Sequence, residues 1–155
     1  MNGTDAVDRL VEAARAGDLA ALQRGIDYGS SSVSTMVRGL EGVDESDREE
    51  IATSGLADIA NGAAATGRLA RVMGALGGAE RVRRAGPREA DQALGRLRTP
   101  PPPPGLSGPT AAAIAELARR AAAVSEVFVV ETPGGDAVWL GLAPDGAGVV
   151  LIPPA

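Results

Sequence analysis

The run Pro100–Pro104 constrains this chain more than any other stretch. Proline fixes φ and lacks an amide hydrogen, so neither a helix nor a central strand passes through such a run. As polyproline II it rises about 3.1 Å per residue and spans roughly 15 Å. A segment of that kind acts as a semi-rigid spacer. A second reading stands beside it: the prolines as a ligand for an SH3-like groove. The run also separates two kinds of sequence. Apolar residues before it recur at helical spacing, and those after residue 124 alternate at the period of a strand. The expected organisation is a helical hairpin or bundle over 1–98, a proline-rich spacer over 99–109 and a small αβββ module over 110–155. The expected fold class is mainly α, α+β overall.

Thr4 is a plausible cap for a first helix over 4–16, whose apolar face carries Val7, Leu10, Val11 and Ala14. Gly17 interrupts the phase and Asp18 can cap a new helix. A 3/4-spaced seam then runs Leu19, Leu22, Ile26, Gly29, Val33, Met36 and Leu40, the a/d pattern of a coiled coil. One helix with a kink at Gly29-Ser30 is expected there. The acidic stretch 39–50 breaks it, with Asp44 or Ser46 as the next cap. A second seam, Ala52, Gly55, Ile59, Gly62, Thr66, Leu69, Met73 and Leu76, predicts one long helix over 47–84 that Gly77-Gly78 can end or bend. Large knobs on the first seam fit small holes on the second, so the two helices should pair antiparallel. Pro87 opens a short amphipathic helix over 87–98, and Pro109 opens another over 109–124. Three β-type runs follow, joined by turns at 133–136 and 144–148. They predict a three-stranded antiparallel meander whose Phe128, Trp139 and Leu151 pack on the preceding helix. Its apolar edges invite docking on the helices or on another chain.

Composition narrows the chemistry. Tyr28, Phe128 and Trp139 are the only aromatics, so the core is thin and built from Ala, Val and Leu. A core of that kind makes a protein partner or self-association an expectation. The chain has no Cys and no His, and Arg supplies all fifteen basic residues. Disulfides, thiolate nucleophiles, imidazole bases and the usual zinc sites are thereby excluded. The absence of Lys matches the codon bias of high-GC, actinobacterial-like composition. The acidic residues Glu41, Asp44, Glu45, Asp47, Glu49 and Glu50 lack the spacing of a calcium loop and read as a solvated capping turn. Ser30-Ser31-Ser32 has no base to activate it and reads as a polar kink. Glu116, Glu131, Asp136 and Asp145 are too scattered to nominate a carboxylate pair. No residue is a candidate for catalysis, cofactor or metal binding, so no enzyme is expected, and a small enzyme of unknown type stands only as the third reading.

The remaining candidate is basic. Arg81, Arg83, Arg84, Arg88, Arg96 and Arg98 fall within eighteen residues, and with Trp139 they form the candidate partner-binding set. In the hairpin they lie far from the acidic turn, which makes a charge dipole able to steer a partner. The net charge of −5 and the lack of interleaved aromatics disfavour nucleic acid. No run reaches the length of a membrane span and no cleaved leader is visible, so a cytoplasmic location is expected, with export without a cleaved signal as the alternative.

Two stretches resemble known families. The two paired helical seams over 5–84 resemble the helical hairpins with a Trp-x-Gly turn found in type VII secretion, although the turn here is Glu41-Gly42-Val43. "ETPGGDAVWL" and "GVVLIPPA" are similar to the terminal strands of the EspG-like chaperones of the same systems. These resemblances imply a secreted or chaperone component. The residues themselves imply a non-enzymatic adaptor or accessory protein that acts through a helical face and a small β module.

Overall fold

In the computed structural model, the described residues are 3–61, 65–135, 137–142 and 148–153; the side chains of 3, 4, 61 and 65–69 are not described. The elements run α1 (Gly3–Arg15), α2 (Leu19–Gly25), α3 (Tyr28–Glu41), α4 (Glu45–Asn61), α5 (Ala65–Gly77), β1 (Arg81–Arg84), α6 (Pro87–Leu97), α7 (Gly108–Ala122), β2 (Glu126–Glu131), β3 (Ala137–Leu142) and β4 (Val149–Ile152). The fold is α+β and mainly helical, as expected.

Three element assignments are corrected. The first seam is two helices, and the break lies at Ile26-Asp27 instead of Gly29-Ser30. Ile26 is extended and bridges Val149 in parallel, and the Asp27 side chain accepts from Ser30 N to start α3. The second correction concerns residues 81–84. Gly78 N returns to Gly74 O and Ala79 N to Leu76 O, which ends α5 at the glycine pair. The chain then runs extended as β1, antiparallel to β2, with Val82 opposite Val130. The meander is therefore part of a four-stranded sheet in the order β1-β2-β3-β4.

The third correction follows from strand alternation. Phe128, Val130, Leu140, Leu142, Val149 and Leu151 share one sheet face, buried with Val7, Leu10, Leu22 and Leu76 of α1, α2 and α5. Val127, Val150 and Ile152 share the other face with Trp139, under Ala93 and Leu97 of α6. Phe128 and Leu151 thus lie on the opposite face from Trp139, and none of the three packs on α7 as expected. Helix α7 instead joins α3 and α4, burying Ile114 and Ala121 against Val33, Val37, Leu40 and Ala52. Gly141 lets the sheet approach the end of that helix, since a Cβ there would lie 2.5 Å from Val124 Cγ1.

The antiparallel hairpin does form, but between α3 and α4, across the turn at 42–44. Its packing has the expected large-into-small sense: a Cβ on Gly55 would sit 3.0 Å from Met36 Sδ. Gly62, at the middle of the second seam, lies outside the described residues, as do Asp136 and the 144–147 part of the last turn.

Small side chains yield three modest clusters in place of one thick core, and every cluster draws on both sides of the proline run. Residues 1–98 alone would leave Leu22, Val33 and Leu97 without much of their cover. That fragment should lose its cooperative thermal transition by circular dichroism while keeping part of its helix signal. A full cooperative melt of 1–98 would establish the division into two independent units.

Candidate functional site

The two outer edges of the sheet differ, and the difference locates the candidate site. At β4 the edge is sealed. Val149 O accepts from Asp27 N at 2.9 Å, and Leu151 N donates to Ser31 Oγ at 2.8 Å. Ser31 Oγ in turn donates to Asp27 O at 2.6 Å. The α2–α3 junction thus takes the place of a fifth strand. The same Asp27 carboxylate accepts from Ser30 Oγ and from Arg120 of α7, at 2.7 and 2.5 Å. Burial by itself raises this carboxyl, but the Arg120 and Ser30 hydrogen bonds outweigh it and hold the pKa below its ordinary value. The serine run is therefore neither a kink nor a row of idle hydroxyls. It builds the first turn of α3 and ties it to the sheet.

At the opposite edge lies β1, with arginine at three of its four positions. Only β2 packs extensively against it among the described residues. Ala85 N donates to Val127 O, and Arg84 lies opposite Phe128. The alternation of an antiparallel ladder therefore turns the N–H and C=O of Arg84 to the open side.

The structure brings together much of the candidate set. Arg81 and Arg83 project on the α6 side of the sheet and Arg84 on the other. Arg83 is already engaged. Its guanidinium donates to both oxygens of Glu89, at 2.8 and 2.9 Å, and to Glu131 at 2.8 Å. The bonds from Arg83 and Gly86 push Glu89 down to about 2, and Glu89 with Glu131 pushes Arg83 further up. Arg83 therefore pins β1 to β2 and to the first turn of α6. Arg84 stands 3.5 Å from Glu126 and over the Phe128 ring at 5.5 Å, with most of its side chain in solvent. Arg96 lies over the Trp139 ring at 5.2 Å and donates to Pro153 O at 2.7 Å. Those two residues are structural partners of one another. Arg98 sits apart, at the end of α6, where its carbonyl accepts from Arg38. Arg81, Arg84 and Arg88 remain exposed around the open edge.

Two further networks escape a reading by residue type. Glu49, from the acidic run, accepts from Ser107 N, Ser107 Oγ and Thr110 Oγ1, and so holds the start of α7. Those bonds, Thr110 foremost, lower its pKa. Arg48 donates through Nε to Leu40 O and Val43 O, closing the α3–α4 turn. Both residues lie in the stretch read as a solvated cap. The signals were short: Asp27 three before Ser30, and Ser107 three before Thr110, are capping spacings. Among the described residues, no group of three or more acidic side chains is placed to hold a metal ion. No described helix is long and apolar enough to cross a membrane. No known protein family matches the chain, and no curated protein or solved structure matches it.

Two predictions follow from the sealed edge and the Arg83 network. Ser31→Ala leaves the buried Leu151 N–H without its acceptor and should cost about 1–3 kcal/mol in chemical denaturation. Ser34 is equally buried, but its hydroxyl finds no partner among the described residues, so Ser34→Ala should be close to neutral. The second concerns acid. Asp27, Glu49 and Glu89 are all held below their ordinary values. Their stabilisation is fully present above the unfolded carboxylate range and is lost as pH falls through the folded values. For Glu89 that window runs from 4.5 down to about 2. Melting temperature against pH should therefore fall less steeply over that window in Glu89→Gln than in the parent protein.

Proposed function

We propose that the chain is a non-catalytic protein–protein interaction module that receives an extended segment of a partner along β1. One observation carries this reading: of the two sheet edges, β4 is sealed by Asp27 and Ser31, while β1 offers the backbone groups of Arg84 to the open side. An edge strand of this kind supplies main-chain hydrogen bonds to an added strand, and its side chains supply selectivity. Edge arginines also discourage indiscriminate pairing between copies. They favour a partner whose extended segment carries carboxylates, which can meet Arg81, Arg84 and Arg88 without removing the internal pairs of Arg83. Such an interface is steered by charge, so its association rate falls as salt rises. The reading belongs to the adaptor class expected from the sequence, and of the two surfaces expected there, a helical face and a small β module, it uses the sheet.

A partner identified by crosslinking to the intact chain and mass spectrometry supplies the test. Arg84→Pro removes an outward N–H without removing a bond of the β1–β2 ladder, a position where an edge strand accepts proline. Its thermal melt should stay near that of the parent protein, while affinity for the partner drops by at least about tenfold. Unchanged affinity in a folded Arg84→Pro variant would place the contact elsewhere.

A further inference from the structure

The proline run is held on the surface at both ends. Arg38 Nη2 donates to Arg98 O at 3.2 Å, and Arg48 Nη1 donates to Pro104 O at 3.0 Å. Beyond it the chain turns at Gly105, whose φ is +99° and where a Cβ would lie 2.7 Å from Glu45 O. Between the two anchors the conformation follows from sterics. Thr99 and Pro100–Pro103 each precede a proline, and the following ring excludes the α region for every one of them. Arg98 is already extended, with φ −61° and ψ 129°.

Polyproline II has three residues per turn, so every third residue falls on one ridge. The exposure of this segment has that period. Pro100, Pro103 and Leu106, every third residue, are half-buried towards the body of the protein, whereas Arg98, Pro101, Pro102 and Pro104 are exposed. Of the ridges turned away from the body, the one opened by Arg98 presents one guanidinium and two proline rings, Pro101 and Pro104, at spacings of about 9 Å.

We propose that Arg98–Pro104 is a ligand for a partner protein with an aromatic-lined groove and an acidic rim. Pro101 and Pro104 enter the groove and Arg98 meets the rim. Aromatic grooves take proline-rich segments because the polyproline II helix is formed before binding and loses little entropy on docking. Tethering by Arg38 and Arg48 reduces that loss further. The arginine three residues before the first anchor fixes the direction in which the segment lies. This surface shares no residue with the β1 edge, so either site can fail without the other.

The test uses a recombinant SH3 domain selected for peptides of the pattern R-x-x-P-x-x-P as its probe. The domain is labelled with nitrogen-15 and titrated with the full chain. Saturable shifts confined to its aromatic groove are expected. The outward-ridge variants Pro101→Ala/Pro104→Ala and Arg98→Glu should each weaken binding by about tenfold. The inward-ridge variant Pro100→Ala/Pro103→Ala should weaken it much less. If that inward variant does not fold, the comparison of Pro101→Ala with Pro100→Ala serves in its place. Absence of groove shifts, or equal losses from the two ridges in folded variants, would overturn the proposal. So would a free peptide of residues 96–106 that binds more tightly than the full chain, since the body of the protein would then be masking the ridge.

Discussion

The seam at Asp27 and Ser31 holds this structure together. It is a short piece of backbone and two small polar side chains, yet it joins three parts of the fold. Asp27 N and Ser31 Oγ close the outer edge of β4. The Asp27 carboxylate starts α3 and binds Arg120 of α7. Leu151 N would otherwise be a buried donor without an acceptor, a state that costs more than an ordinary hydrogen bond contributes. With so few large side chains, the chain cannot rely on one thick apolar core. Three small clusters are stitched instead by polar contacts at their borders: Asp27 with Arg120, Glu49 with Ser107 and Thr110, and Arg83 with Glu89 and Glu131.

The same economy explains the sheet's asymmetry. One edge is covered by an element already present, the α2–α3 junction, and the other is guarded by charge alone. Arg83 spends its guanidinium on internal carboxylates, whereas Arg81, Arg84 and Arg88 face solvent. Arginines adjacent in sequence therefore fall to different tasks. Trp139 lies half-buried beneath Arg96 and belongs to the α6 interface.

Much of this fold was legible in the sequence because local physics and tertiary structure agree there. The face of Val7, Leu10, Val11 and Ala14, the proline-opened helices at 87 and 108–109, and the change of period near residue 124 all express one element each. Legibility failed where tertiary contacts decide. Leu22, Ile26 and Val33 keep a helical spacing across a real break, because α2 and α3 both carry apolar residues inward at that spacing. Only the capping pair of Asp27 and Ser30 marks the interruption. Strand β1 has a single apolar residue, Val82, among three arginines, and no alternation can be read from one residue. It is a strand because β2 offers it a ladder and because Gly77-Gly78 released the chain from α5. The candidate arginines were visible as a cluster, but residue type alone could not separate the half-buried, paired Arg83 and Arg96 from the exposed Arg81 and Arg88, or from Arg84, whose pair with Glu126 leaves most of its side chain in solvent.

Native-state hydrogen exchange at the Leu151 amide tests the seam most directly. If Ser31 and Asp27 seal the edge of β4, this amide exchanges only through global unfolding, and its protection falls selectively in Ser31→Ala. An amide at Leu151 that exchanges as rapidly as those of an open edge strand, in the native protein under mild conditions, would contradict the account.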